Sequence, residues 1–246
     1  MILTVVVGNT NTRLVWFTSH RPVRCRALPT AAMLNQPERY LRREHGVDGS
    51  ALASVVPRAT KPVARALLRA TAIPPLVVDR KTRTMLKVAY SRGQLGADRL
   101  CVAAGALRRY PGNTIVLDFG TATTVNVVKA QGEFLGGLIM PGVGVMSRSL
   151  AGSTAQLPAV QPVGLHPVIA HDTRTAVRSG IIHLLSGGVG HVIDSIEKKA
   201  GCRFNVVATG GYAPLMRRIL RRIVRVDLDL ANRGLAEIYY VNRHDA

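Results

Sequence analysis

Residues 2–7 form an unbroken apolar run rich in β-branched side chains, and Gly8-Asn9-Thr10-Asn11-Thr12 ends it. An apolar run bounded by turn residues predicts a buried strand entering a turn. Strand character resumes from Arg13 to Phe17, so the segment reads as a hairpin with a polar, Gly/Thr-rich tip. Helices are predicted over 31–45 and 61–71, with short strands at 54–57 and 76–79. From Arg99 to Arg109 apolar and cationic residues alternate at helical spacing. A second segment opens at about Gly112: a strand over 114–118, the turn Phe119-Gly120-Thr121-Ala122-Thr123, and a strand over 124–129. Helices follow around 141–155 and 173–199, then a strand at 205–209, a helix at 212–223 and a last helix at 234–240. Strands alternating with helices argue an α/β fold.

Two of these segments are alike. Val5-Val6-Val7-Gly8-Asn9-Thr10 aligns with Leu117-Asp118-Phe119-Gly120-Thr121-Ala122; Val6 and Asp118, like Gly8 and Gly120, stand 112 positions apart. Twin hairpins half a chain apart predict a duplicated fold, with two similar lobes facing one another over 1–111 and 112–246. A glycine at such a tip lets backbone amides approach an anion, and Thr or Asn side chains add donors, so each tip is a candidate phosphate cradle. For one copy alone, a plain tight turn explains the residues equally well. A third glycine turn, Ala208-Thr209-Gly210-Gly211, strengthens the phosphate reading.

Charge changes this picture less than its size promises. The chain has 246 residues, 33 Lys and Arg against 14 Asp and Glu, and a formal net charge of +19. A hydrophobic share of 47% provides for a sizeable core and excludes a disordered chain, in which high charge goes with few apolar residues. A polyanionic partner, nucleic acid or an anionic membrane, is the first implication. The same Arg-, Ala- and Val-rich composition also fits a GC-rich coding bias. The best nucleic-acid feature is Arg217-Arg218-Ile219-Leu220-Arg221-Arg222-Ile223-Val224-Arg225, read as arginine pairs on one helix face opposite a Met216/Ile219/Leu220/Ile223 stripe. Aromatic residues make up only 4% and no stacking platform interleaves with these arginines, so nucleic-acid binding is kept as an alternative and not as the leading reading. Cys25, Cys101 and Cys202 lie far apart without metal-ligand spacing, and the seven histidines show no HxxH pairing. The opening run lacks a basic flank, and no stretch reaches the roughly 18 apolar residues of a membrane span. A soluble, cytoplasmic protein is expected, with Trp16 in its core.

Acidic residues are scarce, so those with apolar neighbours carry weight. Asp118 ends a predicted buried strand at the second tip, where it either holds a cation beside phosphate or is satisfied by turn amides. Asp98, in Gly96-Ala97-Asp98-Arg99, opens a helix. It is either a helix cap or, held ionised by a lowered pKa beside Arg99, a base for an acceptor hydroxyl in phosphoryl transfer.

At these residues the chain resembles the type III pantothenate kinases, of the acetate kinase/sugar kinase/Hsp70/actin superfamily. The resemblance is carried in order by Gly8-Asn9-Thr10-Asn11-Thr12, Gly96-Ala97-Asp98-Arg99, Asp118-Phe119-Gly120-Thr121-Ala122-Thr123-Thr124, Gly136-Gly137, Pro141-Gly142 and Thr209-Gly210-Gly211-Tyr212-Ala213-Pro214-Leu215. It implies an actin-like (ribonuclease H-like) duplicated two-lobe fold and ATP-dependent phosphorylation of pantothenate, the first step towards coenzyme A. It also implies a homodimer with sites at its interface, Mg²⁺ on ATP, and a monovalent cation, K⁺ or NH₄⁺. By this resemblance Asp98 is the catalytic base, and Gly96, Ala97 and Arg99 belong to its substrate loop. Gly8, Asn9, Thr10, Asn11, Thr12 and Thr121 contact ATP, Asp118 holds the monovalent cation, and Thr173 and Tyr90 contact pantothenate; the segment from Tyr90 to Gly96 is one residue shorter than the family's.

One position departs from the pattern. The family has Asp where this chain has Val6, and the internal alignment shows the same gap, since Val6 faces Asp118. A valine neither binds a cation nor accepts from its water, and such a loss is expected to slow transfer on the order of a thousandfold. The nearest carboxylate along the chain is Glu38, too far to offer an obvious substitute. A weakened kinase, or an inactive paralogue that keeps a ligand site and a regulatory role, is therefore the alternative to an ordinary kinase.

Overall fold

The computed structural model describes residues 1–43, 46–88 and 94–243. The chain forms two compact units: the first comprises 1–111, 128–136 and 229–246, the second 112–127 and 137–228. The division at 112 coincides with the start of the repeat, while the C-terminal segment counts with the first unit.

In the first unit β1 (Ile2–Val7) and β2 (Asn11–Thr18) make the expected hairpin, antiparallel with Val6 opposite Arg13. β3 (Arg21–Pro29), which no apolar pattern announced, continues the meander through a two-residue turn. Ser19 and His20 both take positive φ there, 46° and 66°, as the twist of a tight hairpin demands. Two short helices, α1 (Thr30–Asn35) and α2 (Pro37–Tyr40), replace the single one expected over 31–45, with Gln36 breaking the run and Pro37 opening the second. The strand expected at 54–57 lies earlier, as β4 (Ser50–Ser54), because Pro57 begins α3 (Pro57–Thr71). β5 (Leu76–Val77) and β6 (Lys87–Val88) precede α4 (Ala97–Arg109). The sheet order is β3-β2-β1-β4-β5, with β4 parallel to β1.

The second unit repeats this plan. β7 (Thr114–Phe119), β8 (Ala122–Val128) and β9 (Glu133–Pro141) are followed by α5 (Val143–Ser153), α6 (Thr173–Ala200), β10 (Asn205–Thr209), α7 (Ala213–Ile219) and β11 (Ile223–Val226). The second sheet is ordered β11-β10-β7-β8-β9-β6, so that β9-β8-β7-β10-β11 reproduces β3-β2-β1-β4-β5 strand for strand. Among the described residues β6 pairs with the first residues of β9, Lys87 opposite Glu133 and Val88 opposite Phe134. One expectation fails here. Residues 217–225 are not one helix: α7 stops at Ile219 and β11 starts at Ile223, so their arginines do not share a helix face. Arg222 is instead spent on ion pairs to Glu197 (2.6 Å) and Asp194 (3.2 Å) of α6.

Burial explains the layers. Leu3, Val5, Val7, Leu14 and Trp16 point to one face of the first sheet and pack on Met33, Val63 and Leu67 of α1 and α3. Ile2, Val15 and Phe17, with half-buried Val6, point to the other face, covered by α4 and by the last helix, α8 (Leu230–Arg243). In the second unit Ile115, Leu117 and Phe119 pack on Val177, Ile181, Leu185 and Val189, the apolar stripe of α6. All three cysteines are free thiols. Among the described residues no helix is long and apolar enough to cross a membrane.

α4 and α8 meet at glycines. A Cβ on Gly234 would overlap the Cys101 carbonyl, and one on Gly105 would overlap the Leu230 carbonyl, so the two backbones touch. The first turns of α8 are also tied to the hairpin: buried Asn232 donates through Nδ2 to the Thr4 and Arg13 carbonyls, each at 3.2 Å. Gly234→Ala forces the helices apart and is expected to cost about 3 kcal/mol, the upper range for overpacking. Urea denaturation measures this, and a loss below about 1 kcal/mol would show that the crossing tolerates a methyl group.

Candidate functional site

At the first tip, Gly8 N–H donates to the Asn11 carbonyl at 3.0 Å and closes the turn. Thr30, at the start of α1, braces it: its Oγ1 donates to the Gly8 carbonyl at 2.7 Å and its N–H to the Thr10 carbonyl at 2.8 Å. Asn9, Thr10 and Asn11 are exposed at the tip. Thr12 is not. Its side chain is fully buried, with Oγ1 3.0 Å from Thr30 Oγ1, because β2 has begun and turned it inward.

Asp98 belongs to the same unit. Val55 N–H donates to the Val7 carbonyl at 3.1 Å, extending the β1–β4 ladder to the strand ends. The Val55 side chain lies 3.8 Å from where a Cβ on Gly96 would stand, which brings the Gly96-Ala97-Asp98-Arg99 turn against the end of β1. Gly96, not Asp98, is the N-cap of α4. Asp98 lies in the first helical turn, half-buried, and its Oδ1 accepts from the Arg99 N–H at 2.7 Å. Burial pushes its carboxyl above the ordinary aspartate value, outweighing the Arg99 amide and charge that pull it down. This reverses the expectation of a lowered pKa from pairing with Arg99. The guanidinium carbon of buried Arg99 stands 5.7 Å from the Phe134 ring centre, a cation–π distance, while the carboxylate is desolvated over Gly96.

A cavity of about 560 Å³ opens beside this turn, lined by Ser54, Val55, Asp79, Thr82, Gly96 and Ala97 among others. Part of its lining is a hydrogen-bonded turn. Asp79 Oδ1 accepts from the Lys81 and Thr82 amides at 2.8 and 2.9 Å, and Asp79 N–H donates to Thr82 Oγ1 at 2.9 Å. The Lys81 amide keeps the Asp79 carboxyl below its ordinary value. Ser54, Asp79 and Thr82 were missed by sequence reasoning, since nothing in their local pattern marks them as cavity residues. Tyr90 lies outside the described residues.

The second tip gathers the remaining motifs. Asp118, one residue before the end of β7, lies opposite Thr209 of β10, and Gly120 N–H donates to the Ala122 carbonyl at 3.1 Å. A Cβ on Gly210 would stand 2.5 Å from Asp118 Oδ1 and 2.6 Å from the Phe119 carbonyl, so only glycine admits these oxygens, and its φ of +88° fits that residue too. Gly142, the N-cap of α5, donates to the Thr121 carbonyl at 3.1 Å, leaving Thr121 itself exposed. Half-buried Asp118 and the Phe119 carbonyl, which also accepts from the Tyr212 N–H at 3.2 Å, thus bring two oxygens together against Gly210. Thr173 is exposed at the first position of α6, after Asp172, whose Oδ1 caps the helix by accepting from the Thr175 N–H at 2.9 Å.

A family model described as type III pantothenate kinase matches residues 2–195. The chain belongs to the type III pantothenate kinase family. It is 38% identical over 223 residues to the type III pantothenate kinase of Parafrankia sp. (strain EAN1pec), covering 88% of each chain. It is 32% identical over 254 residues to that of Moorella thermoacetica, covering 98% of this chain and 100% of the relative. Among solved structures, the activator of 2-hydroxyisocaproyl-CoA dehydratase from Clostridium difficile with bound ADPNP aligns with a TM-score of 0.55 at 14% identity, over 99% of this chain and 95% of that one. That likeness shows the fold alone, which is actin-like.

At the first tip the residue two before Gly8 is apolar. Val6 is half-buried and offers no oxygen, and among the described residues no cluster of three or more His, Cys, Asp or Glu could hold a metal ion. At the Asp98 turn the fit is close: a methyl at Gly96 would stand 2.5 Å from Asp98 Oδ1, while the backbone there (φ −62°, ψ 143°) suits any residue. Gly96→Ala is thus expected to displace the carboxylate and lower turnover about tenfold or more without unfolding the protein, since small misplacements of catalytic groups are costly. Turnover and circular dichroism together check this; unchanged turnover would show that the carboxylate position is immaterial.

Proposed function

We propose that this protein transfers the γ-phosphoryl group of ATP to the primary hydroxyl of pantothenate, forming 4'-phosphopantothenate and ADP, with Asp98 as the general base. One observation carries the reading: the turn that holds Asp98, a carboxylate whose pKa is raised by burial, lines through its neighbours Gly96 and Ala97 a cavity sized for a small molecule. A base works best when its pKa approaches the working pH, and desolvation moves Asp98 in that direction. In the transfer, the carboxylate takes the hydroxyl proton as the alkoxide oxygen bonds to phosphorus and the bond to the ADP oxygen breaks. Gly96, Ala97 and Arg99 shape the substrate side, Arg99 orienting the acid end or the base, and Tyr90 and Thr173 add pantothenate contacts. Gly8 to Thr12 on one tip and Thr121 on the other are read as ATP contacts, Thr12 through its backbone because its side chain is buried.

The divalent ion, Mg²⁺ carried by ATP, neutralises phosphate charge when bound. Asp118 is the proposed ligand of a monovalent cation, K⁺ or NH₄⁺, and the glycine-walled oxygen cradle around it supports that assignment. A homodimer is part of the same reading. Exposed apolar side chains of the second unit, among them Leu138, Ile139, Val168, Ile169 and Leu184, support it as surface that association would bury.

With saturating pantothenate, ATP, Mg²⁺ and K⁺, formation of ADP and phosphopantothenate is expected; none at all overturns the reading. Asp98→Asn should lower kcat by about 10²–10⁴, the range for losing a general base. The pH dependence has a definite sign. Asp98 acts only when ionised and its pKa is raised, so kcat should fall on the acid side at a pH above 3.8, the ordinary aspartate value, and the variant should lose that limb. A folded-state pKa above the unfolded one means that the ionised group costs stability at neutral pH, a cost absent below the unfolded pKa. Asp98→Asn should therefore leave thermal stability at pH 7 unchanged or raised. A large drop in Tm would recast Asp98 as a structural group.

A further inference from the structure

The carboxylate missing at position 6 has a counterpart that chain order conceals. Val6 and Arg13 are cross-strand partners in the β1–β2 ladder. Their side chains share the sheet face covered by α4 and α8, with Cβ atoms about 4.5–5.5 Å apart as in any such pair. Arg13 Nε donates to Asp229 Oδ1 at 2.6 Å, across 216 positions of sequence. The two side chains are 28% and 20% exposed, desolvated enough for the pair to matter and open enough for a ligand's field to reach it. The anchorage is tight on both sides: Asp229 immediately precedes α8 and its carbonyl accepts from the Arg233 N–H at 2.8 Å, while Asn232, one turn on, donates to the Arg13 carbonyl. The carboxylate is thus fixed beside the end of the hairpin that carries the first tip.

We infer that Asp229 supplies, from the start of α8, the carboxylate that β1 lacks at position 6, and that it acts through Arg13 as a positioning residue for the magnesium–nucleotide complex. The inference rests on the reading of the first tip as an ATP-phosphate cradle. Its physics is a charge balance. Without Asp229, Arg13 and Val6 would leave an uncompensated guanidinium next to the tip, which favours the bare polyanionic nucleotide. With Asp229 the Arg13 charge is balanced within an ion pair, and the magnesium complex, carrying less negative charge, is preferred. A mere clamp between α8 and the hairpin would not set this preference.

The test measures binding of a non-hydrolysable ATP analogue by calorimetry with and without Mg²⁺, beside turnover with pantothenate. Asp229→Asn is expected to lower the preference for the magnesium form about tenfold, as removal of one member of a close charge pair does. Val6→Asp alone should change preference and turnover by less than about threefold, and in the Asp229→Asn background it should recover most of the loss, because the two carboxylates are coupled through Arg13. An Asp229→Asn protein that loses thermal stability yet keeps its magnesium preference would overturn the inference. So would a gain in turnover of about a hundredfold from Val6→Asp alone, which would mark the tip as lacking its carboxylate. That second experiment decides the matter if Asp229→Asn does not fold. A native protein that shows the magnesium preference, loses it in Asp229→Asn, and yet does not phosphorylate pantothenate would overturn the proposed function and support this inference; absence of nucleotide binding would overturn both.

Discussion

The closeness of α4 and α8 governs the chemistry of the first unit. Two helices approach until backbone meets backbone only where side chains vanish, and Gly105 and Gly234 provide that place. The contact carries the two carboxylates to which we assign roles. α4 opens with the Asp98 turn, and α8 opens directly after Asp229. Once the crossing is fixed, Asn232 is buried at the hairpin and Asp229 meets Arg13. A loosened crossing would release both groups at once, although they are far apart in the chain.

Duplication supplies the frame, and divergence within it supplies the asymmetry. The strand orders of the two units coincide, and Val6 and Asp118 occupy the same place on equivalent strands. At the second tip the carboxylate comes from the strand itself, accommodated by Gly210. At the first tip the strand presents an apolar side chain that joins the core against α4 and α8. The charge on that face is then set by groups from β2 and from the last helix. Position within a repeat thus fixes where a group is needed, while the element that provides it can change.

Buried, regular segments were legible because their apolar periodicity reports packing. β1, β7, α4 and α6 lie close to where the pattern put them. β3 and β9, equivalent strands in the two units, were not foreseen: most of their side chains are exposed, and β3 is held by its backbone ladder to β2. The arginine-rich stretch after Tyr212 misled for the opposite reason. Its spacing fits a helix, yet the chain needs a strand at Ile223–Val226 to complete the sheet beside β10, and pairing overrides propensity. Asp98 stands at the start of a helix as expected, but its electrostatics were reversed, because adjacency in sequence says nothing about desolvation.

By itself the sequence determined the family, the duplicated α/β fold and the order of the motifs, because these follow from local patterns and from spacing, which are properties of the chain. Part of its +19 charge is taken up in ion pairs such as Arg222 with Glu197. Only the tertiary structure decided which groups share a site. It raised the Asp98 carboxyl by burying it, turned Thr12 inward, set Asp79 and Thr82 on the cavity rim, and brought Asp229 to Arg13 beside Val6. The reason is that charge and proximity are three-dimensional quantities: Glu38 is the carboxylate nearest to Val6 along the chain, and Asp229, from the far end, is the one that folding delivers.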